Sequence, residues 1–239
     1  MKKTLLLIPF LTLMTGFLCA QKTINDANAE KRSVGSFHGI DVATGIQLVL
    51  TPDQSEQVVV SAAEPEYRDR IVTEVVNGIL KIHYDSKLAS INRRNEAKHL
   101  RAYVSYKSID HLAVTSGAEV NIEGVLQAAS LDLKANTGGL VTGEVNITTL
   151  NVDQDTGSKI DLTGKAENLE VEGNTGSKFT AYNMQTVSCK VNVSTGAKVS
   201  VQVEKQLQVR ASTGGAVSYK GDAAIKEIKT NTGGSVSKS

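Results

Sequence analysis

The sequence predicts an all-β chain folded as a right-handed parallel β-helix, with coils of about 19 residues and an irregular β-rich part ahead of them. Three observations predict it. A Thr-Gly dipeptide returns at a nearly constant interval, and apolar residues alternate by two on either side of it. The composition also suits strands and turns: 20 glycines against 3 prolines, no tryptophan, and abundant Val, Thr, Ser and Asn.

The chain begins with a leader. Residues 1–20 carry Lys2 and Lys3, an apolar run from Leu5 to Leu13, and Leu18-Cys19-Ala20 as a cleavage-like tail. This pattern is a secretory signal peptide, because the apolar run is too short to span a membrane and polar sequence follows it. A competing reading is acylation on Cys19, against which stands Leu18 where a lipidation site wants a small residue. If Cys19 leaves with the leader, Cys189 is the one cysteine remaining and no disulfide forms within the chain. The predicted location is therefore beyond the inner membrane, in the periplasm or at the cell surface. Charge is almost balanced, 26 basic against 25 acidic residues, and loss of Lys2 and Lys3 leaves 24 against 25. Such a chain has no electrostatic footprint for nucleic acid. No further stretch approaches transmembrane length.

Residues 21–36 form a polar entry segment, and 37–239 read as one β-helical domain with irregular early coils over 37–106 and regular coils over 107–239. In the early part, Phe37–Val42, Gly45–Leu50, Gln57–Val60, Ile71–Val75, Ile79–Tyr84 and Leu100–Tyr106 alternate as strands. Pro65 and its flanking acids mark one helical turn, and 85–98 form a polar loop.

The repeat carries the regular part. The dipeptide recurs at Ser116, Thr137, Thr156, Thr175, Thr195, Thr213 and Thr232, with Thr44 as an earlier candidate. Six residues before it stand Leu131, Leu150, Leu169, Cys189 and Leu207, and four before it Leu133, Val152, Val171, Val191 and Val209. Four residues after it stand Val120, Val141, Ile160, Phe179, Val199, Val217 and Val236. Spacing by two on both sides means two short strands with alternate side chains inward. Between them, Asx or Ser before the Thr and Gly after it supply residues that tolerate a left-handed corner. A variable third side completes each coil, with insertions near Gly143, Gly164 and Met184. The period is too short for a βαβ unit, which needs ~30 residues, or a propeller blade, which needs ~40. One coil of a parallel β-helix fits, with Cys189 as a member of a core file.

The strings F-H-G-I-D-V-A-T-G-I-Q-L-V-L (Phe37–Leu50), N-G-I-L-K-I (Asn77–Ile82) and Y-K-S-I-D-H-L (Tyr106–Leu112), followed by Thr-Gly coils, resemble the head GIN domain, a family of Bacteroidetes envelope proteins described as autotransporter adhesins. The resemblance covers about residues 33–239 and implies a right-handed β-helix at the cell surface, with no catalytic residues to carry over. No barrel of membrane strands follows the coils, so the expectation is a passenger-like domain without its own transporter.

The search for chemistry yields few candidates. Asp153 and Glu172 occupy equivalent outward positions on adjacent coils, about 5 Å apart, near the separation used by retaining glycosidases. Their file continues as Lys134, Asn192, Arg210 and Lys229, which favours a solvated ladder over a catalytic pair. Lys159, Lys178 and Lys198 align as a basic column. It either grips an anionic glycan or phosphate group or, as the preferred reading, guards a sheet edge with charge. Arg93, Arg94, Lys98, His99 and Arg101 form a basic run read as a solvated loop. His38, His83, His99 and His111 have no metal-ligand spacing, so neither metal nor cofactor is expected. The functional expectation is a non-enzymatic binding or scaffold domain of the envelope; the alternative is a polysaccharide lyase or glycosidase on the same fold. Expected partners are envelope proteins, extended polysaccharides, or a second copy meeting at the end of the helix.

Overall fold

The structure is a computed structural model that describes residues 26–86 and 97–239. The leader, Cys19, Arg93 and Arg94 lie outside the described residues. The described chain is a β-solenoid of about seven turns with coils spaced by about 19 residues. In chain order the elements are β1 (Glu30–Arg32), β2 (Gly39–Val42), β3 (Gln47–Pro52), β4 (Gln57–Ser61), α1 (Pro65–Arg68), β5 (Ile71–Val76), β6 (Ile79–Tyr84), β7 (Arg101–Tyr106) and β8 (His111–Val114). There follow β9 (Glu119–Ala135), β10 (Leu140–Gln154), β11 (Lys159–Gly173), β12 (Lys178–Val193), β13 (Lys198–Ala211), β14 (Ala216–Lys220), β15 (Ala224–Thr230) and β16 (Ser235–Lys238).

The apolar files fall where alternation places them. Leu131, Leu150, Leu169, Cys189 and Leu207 pair in succession across β9 to β13, and none exceeds 3% exposure. Burial also pushes the Cys189 thiol upward, so it stays protonated as a small core hydrophobe. One cluster of buried residues runs from Phe37 to Val217. In the terminal coil the same files continue as Ile225 over Leu207 and Ile228 over Val209; these two are 43% and 41% exposed.

Three details differ from the sequence reading. First, each regular coil is one strand of 14 to 17 residues that bends within itself, rather than two strands and a separate third side. The bends absorb the insertions: the register between neighbours slips at Thr142/Glu144, at Asp161/Gly164 and at Ala181/Gln185. Second, the early coils do not stack in chain order. β2 and β3 are covered on one side by β8 and β9 and on the other by β6 and β7, which come later in the chain. Third, the entry segment contributes a strand: β1 pairs antiparallel with β4, and β4 with β7. With β5 antiparallel to β6, these strands close the N-terminal end of the stack, where a parallel edge would otherwise be open. Two His–Asp hydrogen bonds, His38 Nδ1 with Asp110 Oδ1 at 2.8 Å and His111 Nε2 with Asp41 Oδ1 at 3.0 Å, tie β2 and the residue before it to β8 and the residue before it.

The corner also has an unexpected chemistry. The positive φ angles belong to the Thr and the Gly, not to the Asx before them: Thr137 and Gly138 are at 48° and 74°, Thr213 and Gly214 at 48° and 74°, and Thr44 and Gly45 at 59° and 69°. Thr44 therefore belongs to the series. A β-branched residue is strained in this region. What offsets the strain is a bond between coils. The N–H of each corner Gly donates to the Thr carbonyl of the next coil, as from Gly138 to Thr156, Gly157 to Thr175 and Gly176 to Thr195, all at 3.0 Å. The corner thus continues the ladder instead of interrupting it. Thr213 has no side-chain hydrogen bond to lose. Thr213→Asn is expected to keep the ladder, relieve the strain and raise stability by roughly 0.5–1 kcal/mol, checked as an increase in the urea midpoint.

Candidate functional site

Outward side chains of the coils form one face on each side of the corner and a third around the bend, where Asn146, Lys165 and Gln185 are register partners. The face before the corner holds two parallel files. One runs Asp132, Asn151, Glu170, Lys190, Gln208 and Glu227; the other runs Lys134, Asp153, Glu172, Asn192, Arg210 and Lys229. Asp153 and Glu172 are register partners on β10 and β11, as expected. They line an open depression of about 320 Å³ with Asp132, Lys134, Asn151 and Glu170. Its rim is polar and contains no aromatic ring, so nothing there would hold a sugar over the carboxylates or desolvate one of them. Several neighbours along the files satisfy one another, although Asp153 and Glu172 face each other as like charges. Asn151 Nδ2 donates to Asp132 Oδ1 at 2.8 Å, Lys190 pairs with Glu170, Gln208 Nε2 donates to Glu227 Oε2 at 2.8 Å, and Arg210 and Lys229 both pair with Glu227. Those contacts, Lys229 first, hold the Glu227 carboxyl below its ordinary range.

The face after the corner is built differently. Lys159, Lys178 and Lys198 are register partners on β11, β12 and β13, and all three are exposed. Below them in the same file stands Leu140 and above them Ala216. None of the three forms an ion pair among the described residues, in contrast to Lys190 and Lys229. The strands that bear them are paired on both sides, so there is no sheet edge for the lysines to guard. The preferred sequence reading of this column is corrected on that ground. Beside it runs a second outward file, Thr142, Asp161, Thr180, Ser200, Ser218 and Ser237. Tyr182, two residues beyond Thr180, reaches along the axis with its hydroxyl on Ser218 and on Ser239 Oγ at 3.0 Å. Lys220 sits 5.6 Å from the centre of its ring. Tyr182 escaped the sequence reading because it lies where the register begins to drift between β12 and β13.

The remaining candidates disperse. Lys98 stacks on the Tyr84 ring at 5.2 Å and Arg101 pairs with Asp26 at 3.4 Å, so the basic run is not one patch. The Asp110 carboxylate accepts a hydrogen bond from His38 and raises its pKa, which suits an ion-pair partner rather than a metal ligand. Among the described residues no group of three His, Cys, Asp or Glu is placed to hold a metal ion. No helix of the described residues is long and apolar enough to cross a membrane.

Residues 36–223 match the family model described as "Putative auto-transporter adhesin, head GIN domain". The chain belongs to the head GIN domain family. Its fold is shared by other solved structures. A "putative adhesin" from Bacteroides fragilis is 16% identical with a TM-score of 0.74, covering 88% of this chain and 95% of its own. A "Putative lipid binding protein" from Parabacteroides distasonis is 18% identical with a TM-score of 0.68, covering 89% and 97%. A "putative adhesin" from Parabacteroides merdae is 14% identical with a TM-score of 0.66, covering 90% and 97%. At these identities the likeness is one of fold. Among curated proteins, none matches this head GIN chain.

Proposed function

We propose that this head GIN chain is a non-enzymatic binding domain of the cell envelope, adhesin-like, that holds an extended ligand along the axis of its solenoid. One observation carries the reading: the same or a chemically similar outward side chain returns at the same place in successive coils, as with Lys159, Lys178 and Lys198 or the hydroxyls of Thr180 and Ser200. A repeating surface presents a repeating ligand with one contact per coil. The envelope location is supported by the family's description as an adhesin and by the leader with Lys2, Lys3 and the apolar run to Leu13. The shallow, mixed-charge setting of Asp153 and Glu172 supports binding over turnover.

The test sets binding against chemistry. The purified protein is incubated with a panel of bacterial and plant polysaccharides, and both retention and release of reducing ends are measured. Retention without release is expected, and an Asp153→Asn, Glu172→Gln double variant is expected to behave identically. Release of reducing ends that disappears in the double variant would overturn the proposal and establish the glycosidase alternative.

A further inference from the structure

We infer that the strip formed by Lys159, Lys178 and Lys198, with Thr180, Ser200 and Tyr182 beside it, is a binding site for an acidic polysaccharide bearing one carboxylate per sugar. The inference rests on the preceding reading of an extended ligand along the axis and names its chemistry.

The charge arrangement is the starting point. Register pairing stacks the three lysines on adjacent strands, ~4.8 Å apart at the backbone. Like charges directly opposite each other on neighbouring strands oppose folding. On the other face the same proximity is used to neutralise charge, as between Lys190 and Glu170 or Arg210 and Glu227. The three strip lysines have no such partner among the described residues; their file continues through Leu140 to Glu119 on one side and through Ala216 to Ser235 on the other, so its one carboxylate stands two coils from Lys159. Asp161, beside Lys159, is the one acidic member of the adjacent file between Thr142 and Ser237. Three unneutralised ammonium groups in a line form a site that an anionic polymer completes.

The neighbouring groups select the polymer. Thr180 and Ser200 offer hydroxyls that donate to and accept from sugar hydroxyls. Tyr182 lies across the coils, a flat ring with a polar tip of the kind that stacks on a sugar face. A sugar residue advances its chain by about the thickness of one coil, so carboxylates carried on the polymer recur at a spacing that flexible lysine side chains on successive coils can reach. Duplex nucleic acid fits less well, because each strand's phosphates recur every ~3.4 Å along the helix axis, out of step with ~4.8 Å per coil. A lipid surface fits less well too. Among the described residues the exposed large apolar side chains are Val76, Ile225 and Ile228, and none is on these files.

The experiment measures affinity of the purified protein for size-defined oligogalacturonate by calorimetry, at low and high sodium chloride. Neutral dextran, single-stranded DNA and anionic phospholipid vesicles serve as comparison probes. Oligogalacturonate is expected to bind, weakening with salt, and Lys159→Ala, Lys178→Ala, Lys198→Ala together are expected to raise Kd on the order of tenfold or more and to flatten the salt dependence. The Lys→Gln triple variant is measured alongside to keep the side chains long. Lys165→Ala with Lys205→Ala, on exposed lysines elsewhere, is expected to leave Kd unchanged. Unchanged Kd in both triple variants, or preferential binding of DNA or vesicles, would overturn the inference. Binding of dextran in place of oligogalacturonate would also overturn it, while leaving the broader reading of an axial binding domain intact.

Discussion

Replacing Phe179 by alanine is expected to destabilise the fold by about 3–5 kcal/mol, the range for deleting a fully buried aromatic side chain. Phe179 is at 0% exposure and sits in its file between Ile160 of β11 and Val199 of β13. Each coil of a solenoid touches only its neighbours, so no distant part of the protein can collapse into the space the ring leaves. The damage is therefore expected to concentrate between β11 and β13. Urea unfolding gives the size of the loss, and hydrogen exchange gives its place, as reduced protection in β12 and β13. Phe179→Leu, which conserves most of the volume, is expected to cost less than about 1.5 kcal/mol. A loss below 1 kcal/mol for the alanine variant would mean that the file does not form the core.

Gly164→Ala is expected to cost roughly 3 kcal/mol or more, from two sources that add. The backbone at Gly164 has φ at +100°, and a Cβ there would stand 2.1 Å from the carbonyl oxygen of Val145 in the preceding coil. That oxygen belongs to backbone already paired within the sheet, so it has nowhere to move. Gly157 provides the comparison. Its φ is +69° but nothing lies within 4 Å of the Cβ position, so Gly157→Ala is expected to cost only about 1–2 kcal/mol of conformational strain. Equal effects from the two variants, read as equal shifts in urea midpoint, would show that the contact with Val145 does not matter.

The difference between those two glycines is a measure of what sequence reasoning reaches. Gly157 was legible as a corner residue because it follows the repeated Thr at fixed distance. Gly164 was legible as a place of variable spacing, but its clash partner comes from the neighbouring coil. The same holds for the candidate site. The stacking of Lys159, Lys178 and Lys198 follows from their common offset from the Thr. Whether they are neutralised does not. Glu170 and Glu172 are within eight residues of Lys178 in the chain, yet the corner sends them to the opposite face, where Glu170 meets Lys190. Tyr182 was illegible because it lies in the stretch where β12 holds more residues than β13, so no fixed offset identifies its neighbours.

By itself, the sequence determined the period, the apolar files and the position of the corner, because alternation by two and a recurring turn are local properties of the chain. Tertiary structure alone decided three things: that β6 and β7 stack outside the β2–β3 coil, that Thr rather than Asx takes the left-handed angle, and that Lys190, Arg210 and Lys229 meet carboxylates while Lys159, Lys178 and Lys198 form no ion pair among the described residues. Each depends on a partner from another coil, 17 to 72 residues away in register. Such pairings are set by which strands close a ladder and which side chains then meet, and neither is encoded within the span of a single repeat.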